Sequence, residues 1–338
     1  MAGRDVVVVG GSAGGIEALV QLVQGLPPDY PGSLFVVVHF PGSARSILPQ
    51  ILSRAGPLPA RHAVDGETVE PGRIYVARPD CHLILRPGHM RLIRGPKENN
   101  ARPALDPLFR SAARSYGSRV VGVVLSGNLN DGTAGLLHIT RAGGITMVQS
   151  TDTALYPGMP LSAMEHVAVD YVLPPAEMAE VINELALQPA AVEEAAMTDE
   201  TAATEMEDTA LADRQTQPGV PSTMACPECH GVLWETKDGE LIGFRCRVGH
   251  AYSAEALLVH QSEKLEDALW TALRALEEHS ALAKRMAARA NTRGHTRSAS
   301  TFTEQAMDAD HHAAVIRSVL ETGIRRVDAG DAAVAAAG

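Results

Sequence analysis

The chain has 338 residues, of which 45% are hydrophobic and 20% are charged, and its formal net charge is −11. This length and apolar content suit two folded domains, or one large domain with appended segments. The excess of acidic residues argues against binding to nucleic acids or anionic membranes, since both need a basic protein face. Because apolar runs are short, the N-terminus lacks a signal-peptide pattern and cysteines are few, we expect a cytoplasmic protein without membrane insertion.

The negative charge is concentrated in one segment of the chain. Residues 189–222 contain eight acidic residues and one basic residue. They are rich in Ala and Thr and poor in large apolar residues, as is typical of a flexible linker. This segment predicts a division into a front domain at 1–188, an acidic linker at 189–222, a Cys/His module at 223–253, a helical hairpin at 254–328 and a disordered tail at 329–338.

In the front domain, apolar runs alternate with segments of helical periodicity. Predicted strands lie at residues 6–9, 34–38, 74–76, 83–85, 90–93, 120–125, 145–149 and 171–173. Predicted helices lie at residues 15–24, 45–54, 108–115, 134–141 and 176–187. This alternation indicates an α/β fold with a doubly wound, mostly parallel sheet, in which functional groups gather at the carboxyl ends of strands.

Three polar side chains follow strands that we expect to be buried. Ser12 lies in a glycine-rich turn after the first strand, His39 follows the second, and Asp131 lies in the loop after the strand at 120–125. If these loops share one edge of the sheet, a nucleophile, a base and an orienting carboxylate meet there. These are the groups that acyl transfer needs.

The glycine-rich turn has an alternative interpretation. Its Gly10-x-Ser12-x-x-Gly15 spacing also resembles a dinucleotide-binding loop, with Ser in place of the second glycine. Such a site needs an acidic residue at the end of the second strand, and this chain has His39 there. The sequence therefore favours the hydrolase over the nucleotide-binding protein.

Five motifs make residues 4–187 similar to the catalytic domain of the CheB-like chemotaxis protein-glutamate methylesterases. They are residues 10–15 (GGSAGG), 37–41 (VVHFP), 102–109 (RPALDPLF), 130–132 (NDG) and 157–160 (PGMP). The resemblance implies Ser12 as nucleophile, His39 as general base and acid, and Asp131 as orienting carboxylate. It implies hydrolysis of γ-glutamyl methyl esters on chemoreceptor helices, with deamidation of glutamine in some members, and no catalytic cofactor.

The resemblance also suggests which residues lie near the substrate. Ala13 stands where the family usually has Thr or Ser, and Asn128 stands where it usually has a Met that lines the oxyanion site. We expect Asn128, backbone N–H groups near Ser12 and His39, and the turn that contains Met159 to lie in this region. Arg102 is interpreted either as a substrate contact or as part of a structural ion pair.

The family's chemotaxis enzymes also carry an N-terminal receiver domain, whereas the predicted catalytic strand here begins near residue 6. We therefore expect any receiver protein to be a separate partner in a two-component pathway. The alternative function is a CheB-like adaptor whose triad is idle.

The back region contains a Cys-x2-Cys pair and a Cys-x3-His pair sixteen residues apart. Three thiolates and one imidazole on tight turns are typical of a structural zinc site. The spacing predicts Cys226, Cys229, Cys246 and His250 as the ligands of one Zn²⁺ ion. Apolar segments around Asp238-Gly239 predict a β-hairpin between the two pairs.

The chain then continues with two predicted helices separated by a break at residues 291–297. Ser253 is the expected N-cap of the first helix. Its predicted apolar seam consists of Leu258, Leu265, Leu269, Ala272, Leu276, Ala283 and Met286. The seam of the second consists of Phe302, Ala306, Ala309, Ala313, Ile316 and Leu320. Two such helices form a hairpin, which we expect to pack on a second copy or another partner, or alternatively within the chain.

Overall fold

The computed structural model describes residues 3–39, 46–190 and 219–322. Most of the predicted linker, the predicted tail and the expected helix start at Arg45 lie outside these residues. One compact unit of the fold extends through Leu257, and a second begins at Leu258. In the described part of the chain, no helix combines the length and apolar character that crossing a bilayer requires.

The first unit is built on a seven-stranded sheet in which all neighbouring strands run parallel. The strands, in chain order, are β1 Val6–Gly11, β2 Ser33–Val38, β3 Ala60–His62, β4 Arg73–Val76, β7 Val120–Val124, β8 Ile145–Gln149 and β9 Tyr171–Leu173. Their spatial order is β3-β4-β2-β1-β7-β8-β9. The antiparallel hairpin β5 His82–Arg86 and β6 His89–Ile93 stands apart from this sheet.

Helices cover both faces of the sheet, which explains why its central strands are apolar along their whole length. The helices are α1 Gly15–Gln24, α2 Leu48–Ala55, α3 Leu105–Tyr116, α4 Thr133–Arg141, α5 Gly158–His166 and α6 Pro175–Leu187. Along β1, Val7 and Val9 pack into one core with α1, α2 and α6, whereas Val6 and Val8 pack into the other with α3, α4 and α5. The predicted doubly wound α/β fold is thereby confirmed.

Prolines account for the differences between the predicted and observed helices. Helix α2 begins at Leu48, with Pro49 in its first turn, and α3 begins at Leu105, two residues before Pro107. The segment predicted as a turn around Met159 is instead the start of α5, with Pro160 in its first turn. The N–H groups of a helix's first turn have no acceptor within that helix. Proline, which has no N–H, is therefore tolerated there and begins these helices instead of interrupting them.

The Cys/His module forms a separate four-stranded antiparallel sheet within the first unit. Its strands are β10 Val220–Ala225, β11 Val232–Asp238, β12 Leu241–Cys246 and β13 Ala251–Ser253. β11 and β12 pair as the predicted hairpin, with Gly239 at φ 65° in the turn. The module begins three residues before its predicted boundary, because Val220 already pairs with Glu235.

Helices α7 Ala254–Thr292 and α8 Thr296–Thr322 follow, and most of their length forms the second unit as a hairpin. In α8, the small residues of the predicted seam are buried, namely Ala306, Ala309 and Ala313. The α7 seam differs from the prediction, since Leu258, Leu265 and Met286 are exposed. Within the second unit, the buried α7 positions are His260, Leu273, Ser280, Ala283, Ala287 and Ala290.

Candidate active site

The three predicted triad residues lie at the carboxyl ends of neighbouring parallel strands. β1 lies between β2 and β7 in the sheet, so the residues that follow these strands share one edge. The backbone joins the loops directly: Ser12 N–H donates to Ser126 O at 2.9 Å, and His39 N–H donates to Gly11 O at 3.3 Å. The fold thus brings Ser12, His39 and the loop that contains Asp131 to the same edge.

His39 and Asp131 form a close contact although 92 residues separate them in the chain. Nε2 of His39 lies 2.7 Å from Oδ2 of Asp131. The histidine side chain is 22% exposed and the carboxylate is 3% exposed. With its proton on Nε2, the imidazole presents Nδ1 as an acceptor, which is the state that a general base requires.

The N-terminus of α3 also holds the Asp131 carboxylate. Leu105 N–H donates to Oδ2 at 2.7 Å and Asp106 N–H donates to Oδ1 at 3.3 Å, while the Asn99 amide donates to Oδ1 at 3.1 Å. Burial alone raises the pKa of Asp131, but these donors and His39 outweigh it and lower this pKa to about 2. Asp131 is therefore a carboxylate at neutral pH, fixed in position by hydrogen bonds.

A second buried carboxyl group, Asp106, lies beside Asp131. Its Oδ1 accepts hydrogen bonds from the N–H groups of Gly132 and Gly135, at the start of α4. Burial and the charge of Asp131 raise the pKa of Asp106. The surroundings thus shift the pKa values of the two groups in opposite directions, which favours the negative charge on Asp131, the group that contacts His39.

Ser12 occupies a tightly packed turn at the end of β1. A Cβ atom on Gly127 would lie 2.9 Å from the Cβ of Ser12 and 2.1 Å from the sulfur of Met159, so only glycine fits there. Ser12 is half-buried, and among the described residues its hydroxyl has no hydrogen-bond partner. A hydrogen bond from Ser12 to His39, which a serine nucleophile would need, is therefore not formed in this conformation.

Backbone N–H groups near Ser12 and His39 are the expected oxyanion donors. The N–H groups of Ser12 and His39 both donate to backbone carbonyls, so neither is available to an oxyanion. Within the described residues, the N–H groups of Ala13 and Gly14 have no acceptor. Gly14 is the N-cap of α1 and has φ 73°, so these two groups lie at the positive end of a helix dipole.

Comparison with known proteins agrees with this geometry. The family model described as CheB methylesterase matches residues 7–182. The chain belongs to the CheB methylesterase family. It is 41% identical over 181 residues to a protein-glutamate methylesterase/protein-glutamine glutaminase 2 of Anaeromyxobacter dehalogenans, an overlap of 54% of this chain and 53% of that relative. The chain thus spans about half the length of the curated relatives it matches.

A solved structure places this similarity in the α/β domain. The crystal structure of the Thermotoga maritima CheB methylesterase catalytic domain is similar to this chain with a TM-score of 0.53 and 35% sequence identity. The alignment covers 55% of this chain and 100% of that domain. The family match at residues 7–182 lies within the front domain and ends before the Cys/His module and the helical hairpin.

The other residues predicted near the substrate have different surroundings in this CheB-type domain. Arg102 donates to Asp80 and to Gly95 O, which supports its interpretation as part of a structural ion pair. Met159 is fully buried and packs beside Gly127, behind the Ser12 turn. Asn128 is exposed in the loop after β7, and its predicted role stays a prediction.

Two residues that sequence reasoning missed complete the surroundings of Asp131. Asp106 lies within the RPALDPLF motif, but no local pattern marks it as a neighbour of Asp131. Asn99 lies outside every motif that carried the family resemblance, yet its amide contacts both Asp106 and Asp131. The only local sequence feature that could have indicated the position of Asn99 is the Asn99-Asn100 pair, because asparagine favours a tight turn with positive φ at both positions.

The four predicted metal ligands come together in the Cys/His module. The ligand atoms of Cys226, Cys229, Cys246 and His250 all lie within 4.8 Å of one another. His250 Nδ1 is 3.7 Å from Cys226 Sγ and 3.6 Å from Cys246 Sγ, and the sulfurs of Cys229 and Cys246 are 3.6 Å apart. Tetrahedral zinc with ordinary bond lengths separates its ligands by about 3.6–3.8 Å, so the residues fit this ion.

Proposed function

We propose that this chain is a serine hydrolase that removes the methyl ester from glutamyl side chains of chemoreceptors. The observation that carries this proposal is the 2.7 Å contact between His39 and Asp131, beside Ser12 at the edge of a CheB-type sheet. The curated relatives are named protein-glutamate methylesterase/protein-glutamine glutaminase, which supports the same substrate class.

The first half-reaction transfers the acyl group to the protein. Nδ1 of His39 accepts the Ser12 proton as Oγ attacks the ester carbonyl carbon. Asp131 stabilises the resulting imidazolium and keeps its Nε2–H in place. When the tetrahedral intermediate collapses, the C–O bond to the methoxy group breaks, and that group leaves as methanol with the proton from His39.

The second half-reaction regenerates Ser12. His39 accepts a proton from water as the water oxygen attacks the acyl carbon, and the bond to Ser12 Oγ then breaks. Oγ regains the proton, and the receptor keeps a glutamate side chain. With a glutaminyl side chain the same steps release ammonia, which corresponds to the glutaminase activity in the relatives' names.

The oxyanion of each intermediate needs donors that are not used elsewhere. We assign this role to the N–H groups of Ala13 and Gly14, at the N-terminus of α1. Losing one such donor typically costs about 10²–10³ in kcat.

The experiment that tests this function is methanol release from a methylated chemoreceptor by the full chain. We expect release by the wild type and its loss in Ser12→Ala, whereas Ser150→Ala, at the carboxyl end of β8, is the control with unchanged release. Equal release by the wild type and Ser12→Ala contradicts the proposal. Absence of release together with receptor binding by both proteins favours the adaptor instead.

We further propose that Cys226, Cys229, Cys246 and His250 hold one structural Zn²⁺ ion. With four protein ligands, the ion has no open position for a substrate or for an activated water. Its contribution is to fold a module whose buried apolar cluster is small, comprising Leu233, Phe244, Tyr252 and Leu257 besides the cysteines.

A further inference from the structure

A tight turn at residues 98–101 lies against the buried carboxyl pair of the active site. Glu98 and Ala101 exchange two backbone hydrogen bonds, of 3.2 and 2.9 Å. The two residues between them, Asn99 and Asn100, have φ values of 48° and 61°, as in a type I′ turn. Glu98 is anchored by two 2.8 Å hydrogen bonds from Arg110 of α3, so the turn is fixed to the catalytic domain.

Asn99 reaches from this turn to both carboxyl groups. Its Nδ2 donates to Asp131 Oδ1 at 3.1 Å and to Asp106 Oδ2 at 3.2 Å. These are hydrogen bonds from a half-buried amide to a pair that includes the catalytic carboxylate. Hydrogen bonds to a charged group are stronger than neutral ones and orient it more firmly.

The opposite side of Asn99 is bound by strand β13 of the Cys/His module. Asn99 Oδ1 accepts a 2.9 Å hydrogen bond from Ser253 N–H, and Asn99 N–H donates to Ala251 O at 2.8 Å. Ala251 N–H in turn donates to Lys97 O at 3.2 Å. Every polar group of Asn99 that faces the module is therefore paired, and the amide orientation follows from those contacts.

A second residue beside the catalytic carboxylate contacts the same segment. Asn130, which directly precedes Asp131, is 8% exposed. Its Oδ1 accepts from Ser253 Oγ at 2.8 Å, and its Nδ2 donates to Glu255 at 2.6 Å. Ser253 Oγ also accepts from Ala256 N–H, so one serine links the start of α7 to the loop that carries Asp131.

We propose that the Cys/His module positions the catalytic carboxylate, with Asn99 as the positioning residue that transmits its contact to Asp131. The metal ligand His250 is adjacent to Ala251, the first residue of β13, so the fold of the metal site and the location of β13 are directly connected. The inference rests on the proposed function, because it assigns Asp131 its role in the triad. It adds that the triad depends on a module that the CheB catalytic domain alone does not contain.

The test compares two matched glycine substitutions in the full chain. Asn99→Gly removes the bridging amide and keeps the positive φ, while Asn100→Gly makes the same change at the exposed neighbouring position of the turn. The readout is the rate at which a fluorophosphonate reagent labels Ser12. We expect a decrease of roughly tenfold or more for Asn99→Gly and no change for Asn100→Gly. Equal rates in the two variants overturn the proposal.

A spectroscopic readout separates positioning from general damage. The imidazole N–H that His39 donates to Asp131 should give a downfield proton resonance, assigned by its loss in His39→Gln. We expect this resonance to shift in Asn99→Gly and to stay in place in Asn100→Gly. With a methylated receptor as substrate, Asn99→Gly should lower kcat and leave KM unchanged, since Asn99 is no substrate contact.

The dependence on the module is tested with Cys229→Ser, which removes one metal ligand. We expect faster hydrogen exchange at the amides of Asn99 and Ser253, and a labelling rate as low as that of Asn99→Gly. Normal labelling despite faster exchange at both amides overturns the proposal. The labelling and resonance measurements need no receptor, so they test the positioning role of Asn99 independently of the substrate. Absence of methanol release would contradict the methylesterase function and not the positioning role.

Discussion

The surroundings of Asp131 explain how a buried carboxylate stays charged beside a second carboxyl group. It accepts hydrogen bonds from His39, from Asn99 and from the first amides of α3. Asp106 accepts hydrogen bonds from the N–H groups of Gly132 and Gly135 at the start of α4. Each acid thus stabilises the N-terminus of one helix, and the loop that contains Asp131 is joined to α3 and α4 through these contacts.

This arrangement predicts a specific dependence of stability on acid pH. The pKa of Asp131 is about 2 in the folded chain, below the value of about 3.9 for an unfolded Asp. The unfolded chain therefore binds this proton first, and the contribution of Asp131 is present above about pH 4 and lost as the pH falls towards 2. By linkage it amounts to roughly 2–3 kcal/mol.

The measurement is the free energy of unfolding of the wild type and Asp131→Asn from pH 5 to pH 2. We expect the difference between them to shrink as the pH falls through this range. The exposed substitution Asp152→Asn is the charge-matched control and should give a difference from the wild type that stays small. A difference for Asp131→Asn that is the same at pH 5 and pH 2 contradicts the assigned electrostatics.

At the scale of single residues, sequence patterns could predict the groups at strand ends but not the contacts around them. Ser12, His39 and Asp131 each follow a strongly apolar strand, so a parallel sheet brings them together. Asn99 follows no such strand, and its contact with Asp131 depends on a turn held by Arg110 and by β13. The oxyanion donors could not be assigned from the sequence either, because the assignment depends on the backbone hydrogen bonds of the folded chain. In that fold Ser12 N–H already donates to Ser126 O.

At the scale of elements, the sequence predicts every strand of the seven-stranded sheet except β3, because a buried parallel strand is a continuous apolar run. β3 Ala60–His62 lacks this signal, since it is short, half-buried and contains Arg61 and His62. Helix α5 was missed because Gly158 and Pro160 read as a turn, although both lie in its first turn. The predicted α7 seam is confirmed at Ala283, which is buried, and wrong at Leu258, Leu265 and Met286, which are exposed. Alanines are compatible with several faces of a helix, so the apolar spacing alone does not fix the buried face. The buried face of α7 includes Ser280, whose hydroxyl donates to Asp310 of α8 at 2.6 Å.

The cysteine and histidine cluster of the four-stranded module predicts the zinc content of the protein. The purified full chain should contain one zinc ion per chain by elemental mass spectrometry, since the four ligand atoms cluster within 4.8 Å. Cys229→Ser should lower this content several-fold. Cys81→Ser is the matched control, because Cys81 is a free cysteine outside the cluster, and it should keep the zinc. Zinc-free wild type, or equal zinc in the wild type and Cys229→Ser, contradicts the assignment.

At the scale of the whole molecule, the net charge of −11 describes the predicted linker more than the site. The linker lies largely outside the described residues, so its flexibility stays a prediction, as does a homo-oligomer formed through α7 and α8. The predicted division treated the Cys/His module as separate from the front domain. In the structure β13 contacts the active-site turn, which no local sequence pattern could indicate, because the contact joins residues 154 positions apart.

We propose that Ser12 is a nucleophile activated by His39 and Asp131. The most direct measurement is the reaction of the full chain with a fluorophosphonate reagent, with the modified residue located by peptide mass spectrometry. We expect one adduct on Ser12 and none in Ser12→Ala. Labelling should be at least ~10²-fold slower in His39→Gln and Asp131→Asn, since each substitution removes part of the base. An adduct absent from Ser12, or formed equally fast in all these variants, would contradict it.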